Sequence, residues 1–340
     1  PPPKIGTETQ EQFNARVKWF VNDRFGMFIH FGLYSLYVMF YPQLVTGPIE
    51  RPGNLLRQLH VDQPFRKENL SAGVLMILFG LFVKMVIADN LATYVDLIYD
   101  APADYSSGSI ALGMVFYSFQ IYCDFFGYST IALGCAKAMG YDLMDNFRAP
   151  YLSTSIGEFW RRWHISLSSW FRDYVYIPMG GSRCIKVRVW WNLLVTMLVS
   201  GLWHGAAWTF LVWGGLNGLG CVVSSLFDRS NWYKKIPALV KQLVVFQFMT
   251  LTWIFFRAHT FEDAFEVLKG IIHWEEGEAL FPWIPAALVL AVWGYGLLWS
   301  GRFRGFLERR PCRIVATALA ILLILLLGAG ANSQFIYQQF

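Results

Sequence analysis

Charged residues are scarce in this sequence. Lys, Arg, Asp and Glu together make up 15% of its 340 residues, whereas a soluble domain usually carries about 25%. Hydrophobic residues make up 55%, which would leave a soluble protein with too little polar surface to cover itself. The composition therefore predicts an integral membrane protein.

Cysteine is also sparse, and its five copies form no Cys-x-x-Cys pair. Neither a disulfide framework nor a zinc site is expected from this spacing. Other metal-ligand spacings, a glycine-rich nucleotide loop and a nucleophilic serine elbow are missing as well. The sequence therefore predicts no bound metal and no tightly bound cofactor.

The excess of positive charge is modest, with a formal net charge of +5. Basic residues occur in short runs between apolar segments, at 183–188 and 302–313. Cytoplasmic loops of membrane proteins show this pattern, so the second run is expected on the cytoplasmic side. Nucleic-acid binding is not expected, because no basic stripe carries exposed aromatic residues. The start of the sequence lacks the regions of a signal peptide, so insertion is expected to depend on internal segments.

Several apolar segments are long enough to cross a bilayer, which takes roughly 20 residues. They lie at about 72–90, 109–136, 189–211, 209–227, 237–256, 282–300 and 314–330. The first contains Lys84 and Asp89, so it is expected to face protein or an interface. The third and fourth overlap, which indicates a helix that is tilted or broken there. The predicted fold class is all-α, a polytopic helical membrane protein with re-entrant or interfacial helices around a central cavity.

Residues 150–182 differ from an ordinary span because charges alternate with bulky aromatics. Trp163, Leu167 and Trp170 recur at helical spacing. We expect a helix that lies in the interface or re-enters the membrane beside a polar cavity. Pro178 and the glycines that follow it are expected to end this helix.

His204 is the one ionisable residue in the apolar run 193–213. Burying an imidazole among hydrocarbon groups is costly unless its nitrogens are paired, so such a residue at membrane depth is a functional candidate. Imidazole is also the commonest general base near neutral pH. Gly201 and Gly205 beside it allow a close approach of backbone or ligand. The alternative is a structural histidine bonded to a neighbouring helix.

A second histidine, His164, follows two arginines in the segment 150–182. It meets His204 at one cavity if the re-entrant helix packs against the span that bears His204. Taken alone, His164 also fits an interfacial histidine. Arg161, Arg162 and Arg172 are candidates to bind the phosphates of a nucleotide-like donor. The alternative for these arginines is anchoring to anionic lipid headgroups.

Two further residues complete the set of candidate substrate- or donor-binding residues. Asp124 is a carboxylate within an apolar span, where it pairs with an arginine, orients a histidine, or belongs to a purely structural buried pair. Trp203 directly precedes His204.

From about residue 41 to residue 340 the sequence resembles the membrane-bound O-acyltransferase family. The resemblance is greatest to the membrane subunits of bacterial alginate O-acetyltransferases, with D-alanyl-lipoteichoic acid transferases as cousins. The matching segments occur in the same order along the chain. They are residues 41–52, 158–170, 172–181, 200–208 and 253–258.

The resemblance implies that His204 is the catalytic histidine and His164 a second functional histidine. It implies transfer of an acyl group, expected to be acetyl from acetyl-CoA, toward an extracytoplasmic polysaccharide. The partners implied are the membrane, the acyl donor, and either the polysaccharide or a periplasmic acetyltransferase. The implied location is the bacterial inner membrane, crossed several times.

The sequence departs from the family pattern in three ways. Asp124-Phe-Phe-Gly-Tyr-Ser-Thr130 stands where the branch has Asp-Phe-Ser-Gly-Tyr-Ser-Asp, and Asn217 stands where a histidine is frequent. The family also carries further spans before the segment that begins at Tyr41, and these are expected to be missing here. An inactive fragment or a membrane scaffold is therefore the alternative to an enzyme. A transporter is less favoured, because no paired broken spans or repeats are evident.

Residues 9–36 resemble the N-terminal strand of α-L-fucosidases, in which the residue matching His30 helps to bind the sugar. One strand cannot close a barrel of eight, so glycosidase activity is not expected. The predicted division is a foreign fragment at 1–36, from a gene fusion or a gene-model error, followed by the transmembrane domain at 37–340. Within the fragment, an amphipathic helix is expected at 11–20 and a buried strand at 27–31.

Overall fold

Helices form all the regular structure that the described residues contain. The computed structural model describes residues 36–44, 47–228, 230–273, 276–300 and 309–328. The expected helix at 11–20, the expected strand at 27–31 and His30 lie outside these residues. Within them, an isolated bridge between Tyr105 and Glu278 is the single extended pairing, and the predicted all-α class is confirmed.

The helices vary widely in length. In chain order they are α1 (Pro52–Leu59), α2 (Lys67–Leu81), α3 (Asp89–Asp100), α4 (Ser107–Ala138), α5 (Ile156–Arg162), α6 (Ile165–Phe171), α7 (Lys186–His204), α8 (Trp208–Phe227), α9 (Asn231–Lys235), α10 (Ala238–Arg257), α11 (Phe261–Ile272), α12 (Trp283–Ser300) and α13 (Arg310–Leu327). A π-helical turn at Phe82–Ala88 joins α2 to α3, and another at Arg172–Tyr176 follows α6. Short 3-10 turns occupy Tyr41–Gln43, Pro102–Asp104 and Pro150–Leu152.

Four helices in the described part of the chain are long and apolar enough to cross a membrane. They are Lys67–Asp100, Ser107–Ala138, Trp208–Phe227 and Ala238–Arg257. Four of the predicted spans are thereby confirmed. Trp283–Leu298 and Ile314–Leu327 are shorter apolar helices at the last two predicted positions.

The predicted span at 189–211 is corrected by the structure. Helix α7 ends at His204, and α8 begins at Trp208, so the overlapping candidates are two separate helices. The chain reverses there through Gly205, whose backbone is extended. The break expected near His204 is therefore present, and it makes His204 the last residue of its helix.

Helix α4 is the central helix of the bundle. Buried residues make up 72% of its apolar stretch, compared with 28–39% in the other three long helices. Helix α2 packs closely along it, because a Cβ atom added at Gly80 would lie 2.6 Å from the carbonyl oxygen of Gly127. Small residues at such crossings let membrane helices approach each other closely.

The continuous helix expected between Trp163 and Trp170 is broken in the structure. Helix α5 ends at Arg162, and His164 adopts a left-handed conformation with φ of +43° before α6 begins. Trp163 and Leu167 are buried as their spacing predicts, whereas Trp170 is 38% exposed. The reason is a tertiary contact, since the loop before α5 supplies the hydrogen-bond acceptors that cap the start of α6.

Candidate active site

His204 lies at a tight crossing of two helices. A Cβ atom added at Gly201 would overlap the carbonyl oxygen of Phe210, and one added at Gly214 would lie 2.5 Å from that of Met197. Only glycine permits this approach of α7 to α8. The close crossing holds the end of α7, and His204 with it, against the first turns of α8.

Aromatic rings surround the half-buried imidazole of His204. The ring centroids of Trp213 and Phe256 lie 5.2 and 5.1 Å away, each nearly perpendicular to the imidazole. Phe210 lies 6.4 Å away and is nearly parallel to it. These rings come from α8 and α10, so three helices build the environment of this histidine.

His164 is buried between α4 and the loop that precedes α5. The residue is only 5% exposed. Its ring stands perpendicular to that of Phe125, with 4.6 Å between the ring centroids. Its Nδ1 lies 3.3 Å from Oδ1 of Asn146 and 3.4 Å from Oγ of Ser166. The imidazole is thus fixed by one ring contact and two polar contacts.

The rings of both histidines lie near the indole of Trp203. The Trp203 ring lies 5.0 Å from the His204 ring and 6.4 Å from the His164 ring, measured between centroids. Trp203 itself is 51% exposed, so an open aromatic surface lies beside both histidines.

The three candidate arginines differ in their engagement. Arg162 donates to Glu158 at 2.6 Å, and Arg172 donates to Asp173 at 2.7 Å. Arg161 is exposed and forms no ion pair with any described residue. Arg161 is therefore the arginine whose guanidinium is most readily available to an anionic ligand.

Both carboxylates that hold these arginines are stabilised as anions. Burial alone would raise the pKa of Glu158, but hydrogen bonds from Thr154 and the charge of Arg162 bring it below its usual value. A hydrogen bond from Arg172, helped by the charge of Arg51, lowers the pKa of Asp173. Both are therefore ionised at neutral pH and keep their arginines engaged.

Asp124 pairs with a lysine rather than with an arginine. Its carboxylate lies 2.7 Å from Nζ of Lys84, and the same ammonium contacts Asp89. Lys84 belongs to the π-helical turn between α2 and α3. The contact joins this turn to α4, which favours the structural role among those considered for Asp124.

Asn146 is a site residue that sequence reasoning missed. It is 1% exposed, and its side chain contacts His164, Ser166 and Ser129. An asparagine in a polar loop ordinarily indicates a turn, so no signal in the sequence separates it from other loop residues. Its role depends on contacts that only the folded chain brings together.

Buried polar atoms lie along the face of α8 that carries Trp213. Thr209 Oγ1, Trp213 Nε1 and Asn217 Oδ1 have no hydrogen-bond partner within the described parts of the chain. The three residues are spaced four apart, so they share one side of the helix. Buried polar groups are normally satisfied by protein, water or ligand, which makes this face a candidate surface for a polar ligand.

Possible metal-ligating side chains do not cluster within the described residues. No group of three or more His, Cys, Asp or Glu side chains is arranged to hold a metal ion in the ranges that the structure describes. All five cysteines are free.

Comparison with known proteins identifies the family. The profile of the MBOAT, membrane-bound O-acyltransferase family, matches residues 18–258. A peptidoglycan O-acetyltransferase from Helicobacter pylori is 38% identical over 247 residues, covering 72% of this chain and 47% of that protein. A probable alginate O-acetylase from Azotobacter vinelandii is 37% identical over 238 residues, with coverage of 70% and 47%. A teichoic acid D-alanyltransferase from Bacillus subtilis is 29% identical over 244 residues, with coverage of 66% and 61%.

The chain belongs to the membrane-bound O-acyltransferase family, and with its four apolar helices it is a multi-pass membrane protein. It spans about half the length of the first two relatives. The family match begins at residue 18, inside the segment 1–36 for which the sequence predicts a separate origin. These comparisons give no support to the fucosidase resemblance, and the boundary at residue 36 stays a prediction.

Proposed function

We propose that this membrane-bound O-acyltransferase family member moves an acetyl group from acetyl-CoA toward an extracytoplasmic polysaccharide, with His204 as the general base. The observation that carries the proposal is that the rings of His204 and His164 both lie near the indole of Trp203. The relatives named for acylation of peptidoglycan, alginate and teichoic acid support the choice of substrate class.

The reaction that suits this site is acyl transfer from a thioester to a hydroxyl group. The hydroxyl belongs to the polysaccharide or to a side chain of a periplasmic acetyltransferase. His204 takes the hydroxyl proton as the oxygen attacks the thioester carbon, and a C–O bond forms. The C–S bond then breaks, and the departing coenzyme A thiolate recovers the proton from the imidazolium. General-base catalysis of this kind contributes about 10²- to 10⁴-fold to a rate.

His164 and the arginines serve to position the reactants. Holding donor and acceptor together removes much of the entropic barrier to a bimolecular reaction. Arg161 suits the phosphates of coenzyme A, because it is exposed and not engaged with a carboxylate of the described residues. The half-exposed indole of Trp203 provides a flat surface over which the thioester can lie beside both histidines.

The polar face of α8 supports the presence of a polar ligand next to His204. Trp213 touches the His204 ring, and its indole N–H is buried without a hydrogen-bond partner among the described residues. Thr209 and Asn217 lie one turn to either side of it on the same face. A sugar or an amide-containing donor arm has the donors and acceptors that these groups lack.

The proposal is tested by acetyl transfer in membrane vesicles that contain the full chain. Vesicles receive radiolabelled acetyl-CoA on the cytoplasmic side, and label on added polysaccharide is measured. His204→Ala is expected to lower transfer by at least about 100-fold. His259→Ala, at an exposed histidine, is the matched control and should retain the native rate. Native transfer by His204→Ala, or no transfer by the unaltered chain, would overturn the proposal.

A further inference from the structure

We propose that Asn146 is a positioning residue that fixes the tautomer and orientation of the His164 imidazole so that Nε2 accepts a hydrogen bond from a sugar hydroxyl of the acceptor that neighbours the hydroxyl to be acylated. The inference rests on the proposed function and assigns His164 to the acceptor rather than to the thioester. It starts from the contacts of a single buried amide.

The backbone determines which way the Asn146 amide faces. The N–H of Ser166 donates to the Asn146 side chain at 3.3 Å, and the hydroxyl of Ser166 donates to the same atom at 2.6 Å. A backbone N–H can only donate, so the atom that faces it must be the amide oxygen. The NH₂ group then points to Ser129, whose Oγ lies 3.1 Å away.

The amide oxygen in turn determines the tautomer of His164. Nδ1 of His164 lies 3.3 Å from this oxygen. Two acceptors would repel each other at that distance, so Nδ1 carries the proton. The hydroxyl of Ser166 also lies 3.4 Å from Nδ1. Because the Ser166 hydroxyl donates its own proton to Asn146, its oxygen also accepts from Nδ1–H of His164. The neutral ring therefore has its lone pair on Nε2.

Burial makes this arrangement hard to exchange. Asn146 and Ser166 are 1% and 0% exposed, which excludes bulk water from competition for the amide oxygen. The ring of Phe125 stands perpendicular to the imidazole and restricts its rotation. His164 is consequently held with Nδ1 directed at Asn146, and Nε2 remains for the site.

The backbone around His164 shows the same dependence on Asn146. The left-handed φ of His164 is uncommon for a residue with a side chain and persists only when neighbouring contacts enforce it. The N–H groups of the next two residues, Ile165 and Ser166, both donate to Asn146, to its carbonyl and side-chain oxygens respectively. Asn146 thus holds the main chain that directs the imidazole as well as the imidazole itself.

This tautomer limits the group that His164 can bind. A lone pair on Nε2 accepts a hydrogen bond and does not donate one. A thioester carbonyl has no proton to offer, whereas each hydroxyl of a sugar has one. His164 is therefore suited to orient the acceptor sugar through one hydroxyl, while His204 removes the proton of the neighbouring hydroxyl that attacks the thioester.

The first test is spectroscopic and does not require activity. The full chain is labelled with nitrogen-15 histidine in lipid nanodiscs, and the signal of His164 is identified by its loss in His164→Ala. The expected result is a protonated Nδ1 and an unprotonated Nε2, replaced by a tautomer mixture in Asn146→Ala. Ser129→Ala, which alters only the NH₂ side of the amide, should keep the native signal. A proton on Nε2 in the unaltered chain, or no change in Asn146→Ala, would overturn the inference.

The second test is kinetic. Asn146→Ala is expected to lower kcat for transfer about tenfold, as the loss of one buried hydrogen bond does, and to leave KM for acetyl-CoA unchanged. Asn146→Asp keeps the acceptor oxygen and should retain most of the rate. In a His164→Ala background, Asn146→Ala should have no further effect, whereas a general packing defect would add to the loss. If even the unaltered chain shows no transfer, the proposed function fails, and the spectrum alone decides the role of Asn146.

Discussion

Lys84 and Asp124 form a buried ion pair of 2.7 Å between the π-helical turn and helix α4. Removing one partner of such a pair leaves an uncompensated charge, which costs about 3–5 kcal/mol. Lys84→Met is therefore expected to destabilise the protein by that amount, measured as a lower midpoint of denaturant unfolding in micelles.

The second partner gives the control for this prediction. Asp124→Asn added to Lys84→Met removes one of the two stranded carboxylates, the other being Asp89, and should recover part of the stability. Lys137→Met breaks a more exposed pair with Asp142, where the expected cost is below about 1 kcal/mol. If Lys84→Met and Lys137→Met lower the free energy of unfolding equally, burial of the Lys84 pair does not determine its contribution to stability.

Adding one methyl group at the crossing of α7 and α8 near His204 is expected to have a strong effect on folding and transfer. Gly201→Ala places its Cβ against the Phe210 carbonyl, so α7 and α8 must separate. We expect a lower yield of folded protein and a lower Tm, with loss of transfer. Gly294→Ala is the matched control, because an added Cβ there meets no atom within 4 Å. A Gly201→Ala protein with native Tm and transfer would refute the close crossing.

Trp203 should matter for transfer more than for stability. Its ring is half-exposed, so Trp203→Ala loses little packing, yet it removes the ring that lies near both His164 and His204. We expect kcat/KM to fall by about tenfold or more with a small change in Tm, and Trp203→Phe to recover part of the rate. Trp191→Ala is the control in the same helix, at 54% exposure compared with 51% for Trp203. A similar rate in both alanine variants would argue against a role for Trp203.

Arg161 should contribute more to binding of the acyl donor than Arg162 and Arg172 do. Arg161→Gln is expected to raise KM for acetyl-CoA by about tenfold, the effect of losing one charge-assisted hydrogen bond, with little change in kcat. Arg161→Lys should recover part of this loss, because lysine binds phosphate only as a point charge. Arg188→Gln, at the far end of α7 from His204, should leave KM unchanged. If saturation with acetyl-CoA is the same in Arg161→Gln, the donor phosphates bind elsewhere.

The positions of the membrane-spanning helices were predictable because the length of each apolar segment can be read directly from the sequence. The predicted positions 109–136, 209–227 and 237–256 each differ from the observed helices by only one or two residues. The expectation that His164 and His204 share one cavity rested on chemistry, and the structure places both rings near Trp203.

Other features were not predictable because they depend on contacts between distant residues. Periodicity across Trp163 and Trp170 favours one helix, and nothing local requires the left-handed turn at His164. That turn is imposed by Asn146, which lies 20 residues before Ser166 in the sequence. The partner of Asp124 could not be predicted from the sequence either, because neither charge nor spacing distinguishes Lys84 from the arginines.

The end of α7 at His204 has an electrostatic consequence. The last four carbonyl groups of a helix lack partners within it, and together they form the negative end of the helix dipole. His204 sits at that end, so the positive charge that its ring gains on taking a proton arises next to these carbonyls. Such a location is worth about 0.3–1 kcal/mol to a cation and up to about 2 kcal/mol when partly buried. In the proposed reaction, the helix end formed by this break thus favours the imidazolium that His204 becomes when it takes the hydroxyl proton.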